Sequence, residues 1–91
     1  MTAVVRDNKA LSRFELDVGE AVAFANYRRA GDRVIITHTE TPPALRGRGI
    51  ASELVKGALA LIGADGLKVV AGCSFVVDYL RQHEEYADLV G

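Results

Sequence analysis

The chain has 91 residues, a formal net charge of −1 at neutral pH, 49% hydrophobic residues and 25% charged ones, which sets it apart from disordered and membrane-spanning chains and points to one soluble domain over 1–91. The near-neutral total is wrong for a protein that coats nucleic acid. The single cysteine, Cys73, allows neither an internal disulfide nor a multi-cysteine metal site, which suits a reducing, cytoplasmic setting.

The first third reads as strands. Val4 and Val5 open a short one that ends near Asp7-Asn8, a turn-prone pair. Phe14, Leu16 and Val18 then alternate with Glu15 and Asp17, the period of a half-buried strand with its acids in water. After a turn at Gly19-Glu20, residues 21–27 place Ala21, Ala23 and Ala25 on one face and Val22, Phe24 and Asn26 on the other. Ala30-Gly31-Asp32 makes the next turn, and 33–41 is a fourth strand. Its run Val34, Ile35, Ile36, Thr37 predicts a central position in the sheet. Three short connections in succession imply an antiparallel meander.

Pro42 and Pro43 cannot donate to a ladder, so they end the fourth strand and give an extended entry to the next loop. A helix begins near Gly49 or Ile50. Ile50, Leu54, Ala58 and Ile62 recur every four residues, with Val55 and Leu59 beside them. Gly57 costs about 1 kcal/mol against Ala inside a helix, which predicts that the sheet approaches closely there. Residues 63–66 end the helix, and 67–71 form a fifth strand, parallel to its neighbour because a crossover helix leads to it. Ser74 is read as the N-cap of a second helix over 75–82. The remainder is a short amphipathic turn docking Tyr86 and Leu89, with a frayed end. The fold class is therefore α/β: a mostly antiparallel five-stranded sheet with a crossover helix and a C-terminal helix.

The stretch 42–62 carries the chemical signal. A strand, a loop containing Arg46, Gly47, Arg48 and Gly49, and a helix N-terminus together make an anion site, because loop amides and unpaired helix amides converge on it. Between Arg28 and Arg48 five arginines face two acids, while from Asp78 onward four acids face one arginine, so the positive field lies around this loop. A P-loop would need Gly-Lys-Ser/Thr after the glycines, and a dinucleotide fingerprint would need a third glycine or alanine where Ser52 stands and an acid about twenty positions on. Neither is present.

Arg46-Gly47-Arg48-Gly49-Ile50-Ala51 does match every specified position of Gln/Arg-x-x-Gly-x-Gly/Ala, the acyl-CoA signature of the GNAT superfamily of N-acetyltransferases. The following segment resembles that family's second motif, Asn-x-x-Ala-x-x-Leu-Tyr, with Cys73 at the Asn position, Val76 at the Ala position and Tyr79, one place early because Tyr79-Leu80 stands in reversed order, as its tyrosine. His38-Thr39-Glu40-Thr41 and residues 79–86 further resemble the small single-domain members, which lack the usual first helices and last strands. The resemblance runs from about Arg13 to Leu89. It implies a minimal GNAT-like acyl-CoA N-acyltransferase fold binding acetyl-CoA where the fourth and fifth strands diverge, with its pyrophosphate over the amides of residues 48–51 and Arg46 and Arg48 near the phosphates. It implies an N-acetyltransferase acting on an amine acceptor, a small molecule or a protein lysine, as a monomer or homodimer. A non-catalytic acyl-CoA-binding or interaction module on the same fold is the alternative.

Acetyl transfer needs a base for the amine, a polarised thioester and a proton for the leaving thiolate. His38 at the end of the fourth strand suits a general base, and Glu40, two residues on, shares its face. Cys73, just before a helix N-terminus, could carry the acetyl group covalently. Tyr79 could protonate the thiolate by its motif position, or be core by its spacing from Val76 and Leu80. His83, Glu84 and Glu85 read as a solvated terminus, and no metal site is expected.

Overall fold

The computed structural model describes residues 4–47 and 49–91. Five strands, β1 (Val5–Asn8), β2 (Arg13–Val18), β3 (Ala21–Ala30), β4 (Arg33–Glu40) and β5 (Lys68–Ala71), form one sheet in the order β1-β2-β3-β4-β5. The first four pair antiparallel, and β5 joins β4 in parallel after the crossover helix α1 (Ile50–Ala64). A second helix, α2 (Ser74–Gln82), and a 3-10 turn (Glu84–Leu89) complete the chain.

One face of the sheet is the inner face, and α1 covers it. Phe14, Leu16, Ala23, Ala25, Val34, Ile36 and Val69 are buried there against Leu54, Val55, Ala58, Leu59 and Ile62 of the helix. The apolar face inferred from the four-residue spacing is the face that packs, as ridge-forming helical side chains require. Gly57 stands where β1 comes closest: a Cβ on it would lie 2.3 Å from Val5 Cγ2. The helix ends in a Schellman arrangement, Leu67 N donating to Ile62 O and Gly66 N to Gly63 O, with Gly66 at φ +71°. Val76 and Tyr79 of α2 join the same core.

Four details depart from the sequence-based expectation. Glu15 is buried, although strand alternation put it in water. It pairs with Arg6 at 2.7 Å and Arg13 at 2.5 Å and accepts from Asn8 at 3.2 Å, partners that reach it from both sides and from two strands. Pro43–Leu45 is a 3-10 turn rather than extended chain. Cys73, not Ser74, is the N-cap of α2, without a side-chain bond. The chain end is tied down: Val90 bridges Val69 in parallel and Gly91 N donates to Val69 O at 2.9 Å, covering the free edge of β5.

Candidate functional site

The site grows from a defect in the sheet. Pairing between β3 and β4 runs regularly from Ala30↔Arg33 to Tyr27↔Ile36 and then jumps to Asn26↔His38, leaving Thr37 as an extra, bulged residue on β4. Its hydroxyl donates to Asn26 O at 3.3 Å. Directly paired residues of an antiparallel ladder share a face. Ala25, buried on the inner face, pairs with Thr39; Asn26 and Phe24 pair with His38 and Glu40. The bulge therefore turns His38 and Glu40 to the outer face of the sheet, away from α1. Their Nε2 and Oε1 atoms are 3.8 Å apart, with the side chains 57% and 52% exposed. The shared face expected for this pair is present, but it is the opposite face from that of Val34 and Ile36.

The bulge also marks where β4 and β5 part. Their ladder closes at Ile36↔Ala71, followed by Gly72 N donating to Ile36 O at 2.8 Å. Past this point His38 continues along β3, while Cys73, at φ −139° and ψ 155°, leaves for α2. His38 and Cys73 each stand two residues beyond the last ladder pair, one on either arm of the split. Cys73 is an unpaired thiol, half-buried against the core.

The loop from β4 to α1 lies at the same end of the sheet, since α1 starts where β4 stops. Arg46 anchors it, its N donating to Pro43 O and its Nε to Thr41 O, both at 3.3 Å. Gly47 and Gly49 have φ of 81° and 73°, left-handed values that disfavour a side chain. Gly49 is the N-cap of α1 and makes no side-chain cap bond, and the first intrahelical bond is Glu53 N to Gly49 O at 3.0 Å. The amides of Ile50, Ala51 and Ser52 thus lack intrahelical acceptors at the positive end of the helix. A cleft of about 210 Å³ opens over them, lined by Thr41, Arg46, Gly47, Gly49, Ile50, Ala51, Ser52 and Phe75. Five of the six residues singled out for the cofactor line this cleft; the sixth, Arg48, lies outside the described residues. Ser52, Thr41 and Phe75 had escaped notice, Phe75 because only the packing of α2 brings it here.

Neither His38, Cys73 nor Tyr79 lines that cleft. A second cleft of about 250 Å³ lies beside it, bounded by Val22, Phe24, Glu40, Pro42 and Pro43, and shares Thr41 and Arg46 with the first. The end of β4 is thus a partition between a glycine-lined cleft and an outer-face cleft. Tyr79 is only 7% exposed. Its ring stacks on His83, centroids 4.1 Å apart and planes at 23°, and lies 6.1 Å from the Tyr86 ring. Burial first, then the neighbouring Tyr86, pushes its phenol up to about 12. His83 lies 3.3 Å from Glu85 Oε2; Glu84 and Glu85 are exposed, as expected of a solvated terminus, while His83 is half-buried against Tyr79. Among the described residues no group of three His, Cys, Asp or Glu side chains could hold a metal, and no helix is long and apolar enough to cross a membrane.

Comparison with known proteins gives concordant results. The family model for GCN5-related N-acetyl-transferase matches residues 13–89. Protein NATD1 of Mus musculus and of Homo sapiens are each 38% identical over 58 residues, covering 63% of this chain and 53% and 51% of theirs. The chain spans about half the length of these curated relatives. The solution structure of a GCN5-like protein from Staphylococcus aureus superposes with a TM-score of 0.73 at 26% identity, over 96% of this chain and 86% of that one.

Proposed function

The chain belongs to the GCN5-related N-acetyltransferase family, and from that premise we propose that it transfers an acetyl group from acetyl-CoA to an amine. The observation that carries this reading is the uncapped N-terminus of α1 beneath a glycine-lined cleft. Its amides have no partner in the helix, and a Cβ built on Gly47 or Gly49 meets nothing within 4 Å. Backbone donors face open space, which suits a pyrophosphate.

When bound, acetyl-CoA supplies the acyl group as an activated thioester. The amides of Gly47, Gly49, Ile50 and Ala51 hold the phosphates, with Arg46 and Arg48 adding charge and Phe75 flanking the cleft. His38, with Glu40 beside it, takes the proton from the acceptor amine on the outer face. The Tyr79 phenol holds its proton at neutral pH, as any tyrosine does, and by its motif position is the donor to the departing sulfur, although being pushed up to about 12 makes it the weaker acid. In the alternative route Cys73 Sγ would take the acetyl group from the thioester, with CoA leaving as its thiol, and the acceptor amine would then take the acetyl from Cys73, giving up its proton and restoring the cysteine thiol. The unpaired cysteine also suits a cytoplasmic setting.

Titration calorimetry with acetyl-CoA tests the cofactor reading, with micromolar affinity expected and its loss on Gly49→Glu. Absence of heat from the unaltered protein would sink it. A second reading, an acyl-CoA-binding module without turnover, draws on the separation of His38 and Tyr79 from the cleft. Mass spectrometry of acetyl-CoA incubated with amines, peptides and proteins distinguishes the two, since binding without thioester loss supports the module. Intact mass with and without Cys73→Ala tests the covalent route.

A further inference from the structure

Resting on the acetyl-transfer reading, we infer that the acceptor is a lysine in an acidic protein segment, laid across the outer face of β3, β4 and β5. The outer face is divided by charge. On β1 and β2 its arginines are neutralised, Arg6 by Glu15 and Asp17 and Arg13 by Glu15. On β3 to β5 they are not. Arg28 pairs with Ile35, Ile35 with Val70, and Arg33 with Lys68, while the residues one step along, Val34 and Val69, are buried under α1. Arg28, Arg33 and Lys68 therefore project outward around the half-buried Ile35 and Val70. All three are exposed, and none joins an ion pair among the described residues. Lys68 Nζ donates to the Asp88 carbonyl, and Gly91 lies against Lys68 and Arg33, so the chain end borders this patch on its β5 side.

The same face carries His38 and Glu40 at the far end of β4. On β3 the partners of His38 and Arg33 are Asn26 and Ala30, four steps or about 13 Å apart along the strand, with Arg28 midway, about 7 Å from Asn26. An acceptor amine at His38 and Glu40 would thus have cations from about 7 to about 13 Å away along the strands, the reach of an extended peptide with carboxylates two to four residues from its lysine. A polyamine would set its distant ammonium groups against Arg28, Arg33 and Lys68, and a small amine would reach neither. Complementary charge of this kind fixes orientation and partner choice.

Two fluorescein-labelled lysine peptides, identical except for glutamates or lysines two to four residues away on both sides, are titrated into the CoA-saturated protein and followed by anisotropy. The acidic peptide is expected to bind roughly tenfold tighter or more at low salt, with the advantage shrinking as salt rises. The triple variant R28E/R33E/K68E is expected to reverse the preference; should it fail to fold, Arg28→Glu alone carries the comparison through a smaller advantage. Equal binding of the two peptides, a preference untouched by charge reversal, or spermine displacing the acidic peptide from this face more effectively than the free acidic peptide does would overturn the inference. Acetyl-CoA calorimetry on the same samples separates the failures: no heat strikes the acetyl-transfer reading, whereas heat without peptide preference strikes this one.

Discussion

The two faces of this sheet are built from the same five strands and have opposite physics. On the inner face Phe14, Leu16, Ala23, Ala25, Val34, Ile36 and Val69 are all at most 2% exposed beneath α1, and stability there comes from apolar area and close packing. On the outer face β1 and β2 carry an arginine–carboxylate layer, and β4 carries His38 and Glu40 in the open. The inner face fixes where the strands lie. The outer face, freed from packing, can hold groups that must meet water, protons and ligands.

Truncation should expose the difference most strongly. Ile36 is fully buried, and its carbonyl receives the last bond from Gly72. Ile36→Ala is expected to cost about 2–5 kcal/mol in chemical denaturation, from lost transfer energy plus a cavity. A loss below about 1 kcal/mol would mean that the inner face is not close-packed. The next effect is titratable. Tyr27 and Tyr79 both sit on the covered side with phenols pushed up to about 12, Tyr27 by burial and by its 2.7 Å bond to Asp7, Tyr79 by burial and Tyr86. The unfolded chain ionises these groups near pH 10. Their stabilisation is intact below pH 10 and lost as pH rises toward and through 12, by roughly 2–3 kcal/mol per tyrosine. Denaturation midpoints measured from pH 9 to 12 should show that slope, and Tyr79→Phe should flatten part of it.

Gly57→Ala sets packing against propensity. Alanine favours a helix by about 1 kcal/mol, yet its Cβ would lie 2.3 Å from Val5 Cγ2 and 2.5 Å from Val5 Cβ. Overpacking costs about 1–3 kcal/mol, so the net expectation is a loss near 1 kcal/mol; a gain in melting temperature would show β1 yielding instead. Glu15 is the outer-face counterpart. Arg13 above all, then Asn8 and Arg6, hold its carboxyl below the ordinary range, so its contribution is fully present above about pH 4.3, the unfolded value, and is lost as pH falls from there through the lowered native one. Its cover is one side chain thick, Arg6 itself being 49% exposed, and water screens the pairs. Glu15→Gln should therefore cost only about 1 kcal/mol at pH 7, and the difference from the unaltered protein should shrink as pH falls below about 4.3.

What the sequence could reveal follows the same division. Periods of two and four residues located the strands and α1, since burial on one face imposes them. Gly57 announced the close approach of β1 because a glycine inside a helix needs such a reason. The left-handed turn at Gly47 and Gly49 was legible from glycine spacing ahead of a helical period, because such a turn into a helix calls for residues without a side chain. The bulge at Thr37 was not, since Thr37 continues a β-branched run and its extra length is visible only against the register of β3. Glu15 misled for a similar reason: its partners lie on β1 and elsewhere on β2, and alternation says nothing about what crosses the strand. Tyr79 could be read as core from its spacing or as chemistry from its motif position, and its burial beside His83, which pushes its phenol up, fits the core reading.

The smallest stability change should accompany one of the largest functional ones. His38 is 57% exposed, and its only near charged partner among the described residues is Glu40 at 3.8 Å, so His38→Asn should alter folding stability by less than about 0.5 kcal/mol. If His38 takes the proton from the amine, the same change should lower the acetylation rate by about a hundredfold or more, as loss of a positioned base does. Acetyl-CoA binding should remain, because the cleft over α1 lies across the partition formed by the end of β4. Rate, cofactor affinity and stability measured together separate the outcomes. A variant with full activity would take His38 out of the chemistry and leave Glu40 as the outer-face base. One that lost cofactor affinity along with rate would show that the bulge transmits between the clefts, and that the two faces of the sheet are not independent at this end.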